Sequence, residues 1–407
     1  MKKILIINVT ANSGSTGRIA EEIGQKAIEN GYECFFAYGR ANNNSRFKTI
    51  HIGSAWDVKI HGIQTLLFDN HAFASSRATK NFVDEIIRLE PDLVHIHNIH
   101  GYYLNIEILL EYLAKSQIPV VCTLHDCWTF TGHCAHFEDI KCMKWKTLCF
   151  DCPKKKLYPK SLFIDGSKKN YLRKKQLFNN LTNLTIVAPS LWLADIVKCS
   201  FLSSYPIYII HNGVNINEFQ PCSIPSLKDK LGIDDSVKII LGVASVWTKN
   251  KGLDDFFKLA SKIGNNVKIL LVGLSDKQMK TLPKNVIGIK RTENVKELST
   301  LYSMADVFVN PTYLDNFPTT NIESLACGTP VVTYKTGGSP EAINDETGFV
   351  VEQGNLDALK NAIDSVFANG KNFYRNNCRL RAVKLFNKDE CFMKYIKIYN
   401  NLLNEDK

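Results

Sequence analysis

The sequence predicts an α/β protein built from two doubly wound, Rossmann-like domains that face a central cleft. Short apolar runs alternate with stretches of helical period along all 407 residues, which is typical of parallel sheets covered by helices. The length suits two or three domains. Apolar residues make up 45% and charged residues 22% of the chain, an ordinary globular composition that excludes wholesale disorder.

The first series of elements spans residues 1–217 and is predicted to form the N-terminal domain. Strand candidates are the apolar runs at 4–9, 33–38, 93–97, 120–124, 184–188 and 208–210. After the first run, small residues from Ser13 to Gly17 form a loop that opens a helix with apolar residues on one face. Asn105 and Ser190 are predicted helix caps, because their side chains can accept hydrogen bonds from free backbone amides.

The second series spans residues 237–388 and is predicted to form the second domain. Its strand candidates are 237–244, 267–272, 307–310, 331–334 and 349–351, with helices that begin at Leu253, Val295, Thr319 and Leu356. Residues 218–236 contain Pro221, Pro225 and Gly232 among polar residues, which predicts a linker. Residues 389–407 are predicted to form a separate C-terminal helix that no strand follows.

Neither a signal peptide nor a membrane-spanning helix is predicted. The apolar stretch near the N-terminus stops at Asn8, too short for the core of a signal peptide. No apolar run approaches the roughly 18 residues that a membrane span needs. We therefore expect a cytoplasmic protein in a reducing compartment.

Ligands of doubly wound sheets bind beyond the carboxyl ends of the strands. His125 and Asp126 directly follow the run 120–124. His125 is predicted to face the cleft, where it can donate a hydrogen bond to a sugar hydroxyl or stabilise developing charge. The alternative is a solvated loop histidine.

The segment 311–323 follows another predicted strand and opens a helix near Pro318. Free amides at this helix start, around Asn316, Phe317 and Thr319, are predicted to bind a diphosphate. Asp315 and Glu323 flank the helix start and can accept hydrogen bonds from sugar and ribose hydroxyls. Carboxylates at such places are also ordinary solvated caps, which is the alternative.

Two further features agree with a diphosphate site. Lys249 and Lys251 follow a predicted strand, where a lysine can neutralise a leaving phosphate. Gly337 and Gly338 permit close approach of the backbone. The loop from Gly14 to Gly17 lacks the third glycine of a dinucleotide fingerprint, which argues against a dehydrogenase.

Five of the twelve cysteines fall within 26 consecutive residues, a density that a metal explains better than packing does. Cys134, Cys142, Cys149 and Cys152 are predicted to hold a structural zinc ion. Cys127, His133 and His136 are substitute ligands. Reduced buried thiols and an iron–sulfur cluster are the alternatives to zinc.

Residues 141–180 hold twelve lysines or arginines but only two acidic residues. Aromatic residues are interleaved with these basic residues. The segment is predicted to dock on an anionic membrane surface, to which each basic residue adds about 1 kcal/mol. The alternatives are a solvated helix face or a zinc-stabilised nucleic-acid-binding protein.

Four stretches of the chain resemble glycosyltransferase family 4. They are "IIHNGVNINEF" at 209–219, "KNKGLDDF" at 249–256, "NPTYLDNFPTTNIESLACGTPVVTYKTGGSPEAINDETGFVV" ending at residue 351, and "HDCWTFTGHC" at 125–134. The last of these is similar to a segment of a bacterial subgroup that builds surface polysaccharides. The resemblance covers nearly the whole chain.

The resemblance implies a GT-B fold and retaining transfer of a hexosyl or N-acetylhexosaminyl group from a nucleotide-diphosphate sugar. By the family pattern, Asp315 and His125 contact the donor sugar, Glu323 binds the ribose and Lys251 binds the phosphates. Gly14, Ser15 and Gly17 belong to the family's loop near the diphosphate. The final helix crosses back onto the first domain.

One departure from the family is Val246, at the position where an arginine is usual. Phosphate neutralisation is therefore assigned to Lys249 or Arg291 as well. No Asp-x-Asp triplet occurs in the chain, so no catalytic divalent ion is expected.

The expected acceptor is a glycan or a polyprenyl-linked glycan, and the expected location is the inner face of the cytoplasmic membrane. No nucleic-acid partner is expected. The competing interpretations are the nucleic-acid binder and a nucleotide-sugar epimerase of the same architecture.

Overall fold

A computed structural model describes residues 1–222 and 225–404 of the chain. They form two compact units, Met1–Ile210 with Phe392–Lys407, and His211–Cys391. Each unit has its own parallel sheet and its own apolar core. The predicted α/β class, with two Rossmann-like domains, is confirmed.

The first unit contains a seven-stranded sheet in the order β3-β2-β1-β4-β5-β6-β7, with every neighbouring pair parallel. The strands are β1 (Lys3–Ala11), β2 (Glu33–Asn42), β3 (Lys48–His51), β4 (Leu93–Ile96), β5 (Val120–Thr123), β6 (Leu184–Ala188) and β7 (Ile207–Ile209). The helices are α1 (Gly14–Glu29), α2 (Ala55–Phe68), α3 (Ser76–Leu89), α4 (Ile106–Ser116), α5 (Ser167–Asn179) and α6 (Leu191–Lys198).

The second unit contains a six-stranded sheet in the order β10-β9-β8-β11-β12-β13, also parallel throughout. Its strands are β8 (Lys238–Val243), β9 (Val267–Val272), β10 (Val286–Ile289), β11 (Val307–Asn310), β12 (Val331–Tyr334) and β13 (Gly348–Val351). Its helices are α7 (Pro225–Lys230), α8 (Leu253–Ala260), α9 (Asp276–Met279), α10 (Val295–Met304), α11 (Thr319–Ala326), α12 (Leu356–Asn369) and α13 (Lys371–Phe386).

The predicted helix caps are confirmed. The Asn105 side chain accepts hydrogen bonds from two amides in the first turn of α4, and Ser190 Oγ accepts one from the Leu193 amide at 3.1 Å. Each cap satisfies backbone donors that the helix itself leaves without a partner.

The linker predicted at 218–236 lies within the second unit and carries α7. Its residues 223 and 224 are outside the described residues, as are residues 405–407 of the predicted C-terminal segment. Within the parts of the chain that are described, no helix has both the length and the apolar character required to cross a bilayer.

The last helix, α14 (Lys388–Asn404), ends in the first unit. Tyr399 on this helix is fully buried, and its hydroxyl is 2.6 Å from His95 Nδ1 on β4. Lys2 Nζ donates to the carbonyl of Leu403 at 2.7 Å. Polar contacts thus join the last helix to β4 and to the residue directly before β1.

We predict that Tyr399→Phe lowers the free energy of unfolding by about 1–3 kcal/mol, because it leaves His95 Nδ1 buried without its partner. Urea denaturation of the purified protein measures this change. An unchanged midpoint would show that the His95–Tyr399 hydrogen bond does not hold α14 in place. Tyr208→Phe, on an exposed side chain of the same unit, is the control.

Candidate functional site

Lys251 and Asp315 form an ion pair in the second unit, with 2.6 Å between Nζ and Oδ2. Lys251 ends a short 3-10 turn after β8, and Asp315 lies in the loop after β11. Because β8 and β11 are parallel neighbours, these two segments leave the sheet at the same edge. The predicted Lys251 and Asp315 are therefore brought together, with both side chains partly exposed.

Backbone contacts hold the two segments in this position. The amide of Tyr313 donates to the carbonyl of Asn250 at 2.7 Å. Gly252, with φ of +76°, begins α8 so close to the β11 loop that a Cβ would lie 2.2 Å from the Pro311 carbonyl oxygen. A side chain at Gly252 would therefore displace the loop that carries Asp315.

The predicted glycine pair, Gly337 and Gly338, also contacts the loop between β11 and α11. Gly337 has φ of +50°, and a Cβ there would lie 1.9 Å from the carbonyl oxygen of Asp315. The amide of Gly338 donates to the carbonyl of Asn316 at 2.8 Å. Close approach of the backbone, as predicted from these glycines, positions the loop before α11.

Helix α11 begins at Thr319, directly after this loop. Pro318 occupies the cap position and its side chain makes no capping hydrogen bond, so the amides of the first turn can face a ligand. Phe317 is buried and stacks on His211, with ring centroids 4.7 Å apart. Glu323 lies one turn into α11, where its Oε2 accepts a hydrogen bond from Tyr302 at 2.9 Å.

Two further predicted phosphate-binding residues, Lys249 and Arg291, are exposed. Lys249 is exposed in the turn that contains Lys251. Arg291 is exposed and follows β10, which β9 separates from β8. Among residues 1–222 and 225–404, no hydrogen bond or ion pair joins Arg291 to Lys251 or Asp315.

Sequence reasoning missed a buried carboxylate next to the pair. Asp255 accepts hydrogen bonds from the hydroxyls of Tyr313 at 2.7 Å and Tyr334 at 3.0 Å. Burial, together with this carboxylate, raises the pKa of Tyr313 to about 12. Asp255 thereby fixes the β11 loop to α8. The sequence does not distinguish Asp255 from its neighbour Asp254. Helix geometry indicates that only one of two adjacent residues can face the sheet, but it does not say which one.

In the first unit, Gly14, Ser15 and Gly17 form the first turn of α1, not the loop that precedes it. Gly14 and Ser15 are exposed. Gly17 is buried, and a Cβ there would lie 2.8 Å from Thr10 Oγ1. The small Gly17 therefore lets the first turn of α1 pack closely on the end of β1. Gly14 and Ser15, at the start of the helix, remain open to solvent.

His125 follows β5 and is 2.9 Å, through Nε2, from Nδ1 of His97. Burial lowers the pKa of His125 to about 4, although the neighbouring Asp126 acts in the opposite direction. His97 is buried, and burial also lowers its pKa well below the ordinary value. Both rings are therefore neutral at physiological pH. A neutral imidazole ring has one donor nitrogen and one acceptor nitrogen.

Asp126 has a structural role beside His125. Its Oδ1 accepts from the Trp128 amide at 2.8 Å, and its Oδ2 is 2.9 Å from His100 Nε2. Burial by itself would raise the pKa of Asp126, but His100, His136 and the hydrogen bond from the Trp128 amide together lower it. The carboxylate thus fixes the turn that carries His125.

The four cysteines predicted to hold zinc lie near one another. Within the described residues, no three His, Cys, Asp or Glu side chains are arranged to bind a metal. Cys149 Sγ accepts a hydrogen bond from the Gly132 amide at 3.2 Å. A hydrogen bond from Cys134 lowers the pKa of Cys152. Cys142 is partly exposed.

Zinc at Cys134, Cys142, Cys149 and Cys152 stays a prediction. Metal quantification on the purified chain is the measurement that bears on it. About one zinc ion per chain would support the prediction, and a zinc-free protein that remains folded would remove it.

The fold is shared with a solved glycosyltransferase of Rickettsia africae, which superposes with a TM-score of 0.71 at 18% identity over 99% of both chains. The structure of HepE from Anabaena in complex with UDP superposes with a TM-score of 0.70 at 15% identity, over 98% of this chain and 100% of HepE. HepE has also been solved with UDP-glucose. Two parallel-sheet, Rossmann-like domains of this kind define the GT-B class.

Sequence comparison identifies the family. The family models "Glycosyltransferase Family 4" and "Glycosyl transferases group 1" match residues 16–218 and 223–383. WcaC of Escherichia coli K12, named for glycosyl transfer in colanic acid biosynthesis, is 24% identical over 86% of this chain and 87% of WcaC. CapM of Staphylococcus aureus, a capsular polysaccharide glycosyltransferase, is 28% identical over 48% of this chain and 54% of CapM. The chain belongs to the GT-B glycosyltransferases of family 4.

Buried histidines make the stability of the first unit depend on pH. Burial lowers the pKa of His61 and His125 to about 4 and of His95 to about 3, and it also depresses the pKa values of His71 and His97. Unfolding restores ordinary pKa values near 6.5, so the unfolded chain binds protons that the folded chain excludes. Acidification therefore favours unfolding.

We predict that the free energy of unfolding falls by about 1 kcal/mol per buried histidine between about pH 7 and pH 5.5. The total loss is several kcal/mol. Urea denaturation at a series of pH values measures it. Carboxylates with ordinary pKa values titrate mostly below this window, so a flat profile would show that the histidines titrate normally.

Proposed function

We propose that this glycosyltransferase moves a hexosyl or N-acetylhexosaminyl group, with retention of configuration, from a nucleotide-diphosphate sugar to a lipid-linked glycan of a bacterial cell surface. The observation that carries the proposal is the Lys251–Asp315 ion pair, 2.6 Å long, directly before the uncapped start of α11. A cation, free amides and a carboxylate are the groups that a diphosphate sugar requires.

In the proposed reaction, the bond between the anomeric carbon and the diphosphate oxygen breaks, and an acceptor hydroxyl oxygen bonds to the same carbon. Negative charge grows on the departing nucleotide diphosphate, which takes up the hydroxyl proton. Lys251 and the first amides of α11 stabilise this charge. Their contribution is greater in the transition state than in the ground state, because the charge on the bridging oxygen develops only as the bond breaks. HepE, of the same fold, has been solved with UDP and with UDP-glucose, which supports a nucleotide-diphosphate donor.

The carboxylates hold hydroxyl groups around the diphosphate. We assign Asp315 to the donor sugar and Glu323 to the nucleotide ribose. The Tyr302 hydroxyl orients Glu323 from the buried side of α11. Before the donor binds, the ion pair with Lys251 holds the Asp315 carboxylate in place. When the donor binds, the Lys251 ammonium group shifts toward the phosphates and the Asp315 carboxylate turns toward the sugar.

His125 is assigned to the donor sugar as a neutral hydrogen-bond donor. Burial keeps its ring uncharged at physiological pH. The His97 ring engages Nε2 of His125 at 2.9 Å, which holds the imidazole in one orientation. A neutral ring binds a sugar hydroxyl without placing a second positive charge on the sugar, whose anomeric carbon itself becomes positive.

Charge stabilisation by Lys251 and the α11 amides leaves no step for which a divalent ion is required, and we propose that catalysis needs none. Turnover should persist in a chelator that spares tightly bound zinc. Restoration of a chelated sample by magnesium would contradict this part of the proposal.

A lipid-linked acceptor agrees with the basic segment 141–180. We propose that this segment attracts the protein to anionic lipids at the inner face of the cytoplasmic membrane. WcaC and CapM are named for colanic acid and capsular polysaccharide biosynthesis, which supports a surface glycan as the product.

We predict that Lys251→Met lowers kcat/KM by about 100-fold or more, because one cation that stabilises the leaving group is lost. Mass spectrometry of a nucleotide-sugar panel incubated with the protein and extracted lipids identifies the donor, and steady-state rates with that donor measure the effect. Glu323→Gln should chiefly raise KM for the donor, since the amide keeps one acceptor oxygen.

The matched control is Lys262→Met. Lys262 forms an equally short ion pair with Asp357, 2.6 Å, on the surface of the same unit. Normal transfer by Lys251→Met would overturn the proposal. If the sugar of the donor changed its configuration and no sugar was added to the acceptor, the reaction would be epimerisation.

A further inference from the structure

Helix α2 turns its apolar side toward solvent. Trp56, Ile60 and Ile63 are 71%, 52% and 55% exposed, and their spacing of four and three residues places them on one face of the helix. Phe68, at the end of the helix, is 59% exposed. A surface helix of a water-soluble protein ordinarily presents its polar residues instead.

The opposite face of α2 is polar and buried. His61 and Thr65 are fully buried. His61 Nδ1 is 2.8 Å from Ser75 Oγ, and His61 Nε2 accepts from the Ala72 amide at 2.9 Å. Thr65 Oγ1 donates to the carbonyl of His61 at 2.9 Å. Rotation of the helix to bury its apolar face would break the two hydrogen bonds of the His61 ring, because Ser75 and Ala72 lie outside the helix, so the exposed face is part of the folded state.

A second apolar segment adjoins the end of this helix. The amide of Leu162 donates to the carbonyl of Leu66 at 2.8 Å. Phe163, next to it, is 72% exposed, and Leu157 and Ile164 are about half exposed. Ser161 Oγ donates to the Ile164 carbonyl at 2.7 Å, which fixes the segment. We name the following residues the apolar ridge: Trp56, Ile60, Ile63, Phe68, Leu157, Leu162, Phe163 and Ile164.

Lysines border the apolar ridge. Lys59 Nζ lies 4.6 Å from the ring centroid of Trp56. Lys156 and Lys160, in and beside the second segment, are exposed. The neighbouring acids are occupied: Asp57 caps α2 with Ser54, and Asp165 accepts from the Ser167 amide. Apolar and aromatic side chains bordered by cations complement an anionic lipid surface.

We propose that the apolar ridge inserts into the headgroup and outer acyl region of an anionic bilayer, while its lysines contact lipid phosphates. The inference deepens the membrane docking proposed above and rests on it. That docking needs only lysines and is weakened by salt. Insertion of the ridge adds burial of apolar surface, which salt does not screen.

The first test compares vesicle binding of the full chain with that of Ile60→Ser/Ile63→Ser. The vesicles contain phosphatidylcholine with or without phosphatidylglycerol, at low and at high salt. We expect the double variant to bind anionic vesicles at least about 10-fold more weakly than the wild type at both salt concentrations. The matched control is Leu380→Ser/Val383→Ser, which changes two exposed apolar residues on α13 of the second unit.

The second test uses Trp56 as a reporter, since Trp128, Trp145 and Trp247 are buried and Trp192 is half-buried. Lipids brominated on their acyl chains should quench part of the fluorescence of the bound protein. Trp56→Phe keeps an apolar side chain, so it should still bind while that part of the quenching disappears.

Two results would overturn the inference. One is equal binding by Ile60→Ser/Ile63→Ser and the wild type. The other is a dimer in sedimentation analysis that this double variant dissociates, because the ridge would then be an interface between two copies. Donor hydrolysis in lipid-free solution is measured in parallel. It should be the same in both proteins, and its absence from the wild type would count against the proposed function and not against the ridge.

Discussion

The parallel pairing of β8 with β11 is the constraint on which the candidate catalytic residues depend. Parallel neighbours end at one edge of a sheet, so the turn after β8 and the loop after β11 leave the sheet together. Lys251 and Asp315, which are 64 residues apart in the chain, are joined by a 2.6 Å ion pair at that edge. Gly252 and Gly337 matter because each allows a backbone approach that a side chain would block.

The candidate residues of the first unit are neutral, buried histidines, whereas those of the second unit are a charged lysine and aspartate. Its histidines follow or occupy the central strands, and desolvation keeps them neutral. Neutral rings can be packed together: His95 and His97 have centroids 4.1 Å apart, a distance at which two imidazolium ions would repel strongly. The same burial that lowers the pKa of His125 makes the unit sensitive to acid.

Sequence patterns predicted the central strands well, because strands buried on both faces are continuous apolar runs. The edge strands β3 and β10 were missed: β3 is mostly exposed and β10 contains Gly288. The position of the loop between β11 and α11 was also predicted from sequence, since the end of a strand and the start of a helix are local signals. Asp255 and Tyr302 could not be found, because the side chains that they contact are distant in sequence.

Helix α2 shows why a hydrophobic pattern alone does not reveal which side of a helix is buried. Trp56, Ile60 and Ile63 form the regular stripe that normally faces a core. The structure buries His61 and Thr65 instead, because Ser75 and the Ala72 amide, outside the helix, supply hydrogen-bond partners for the His61 ring. The Thr65 hydroxyl is satisfied within the helix by the His61 carbonyl. A buried polar group is tolerated only where it is satisfied. Those partners therefore decide the orientation of α2, and the exposed stripe follows from polar contacts on the opposite side of the helix.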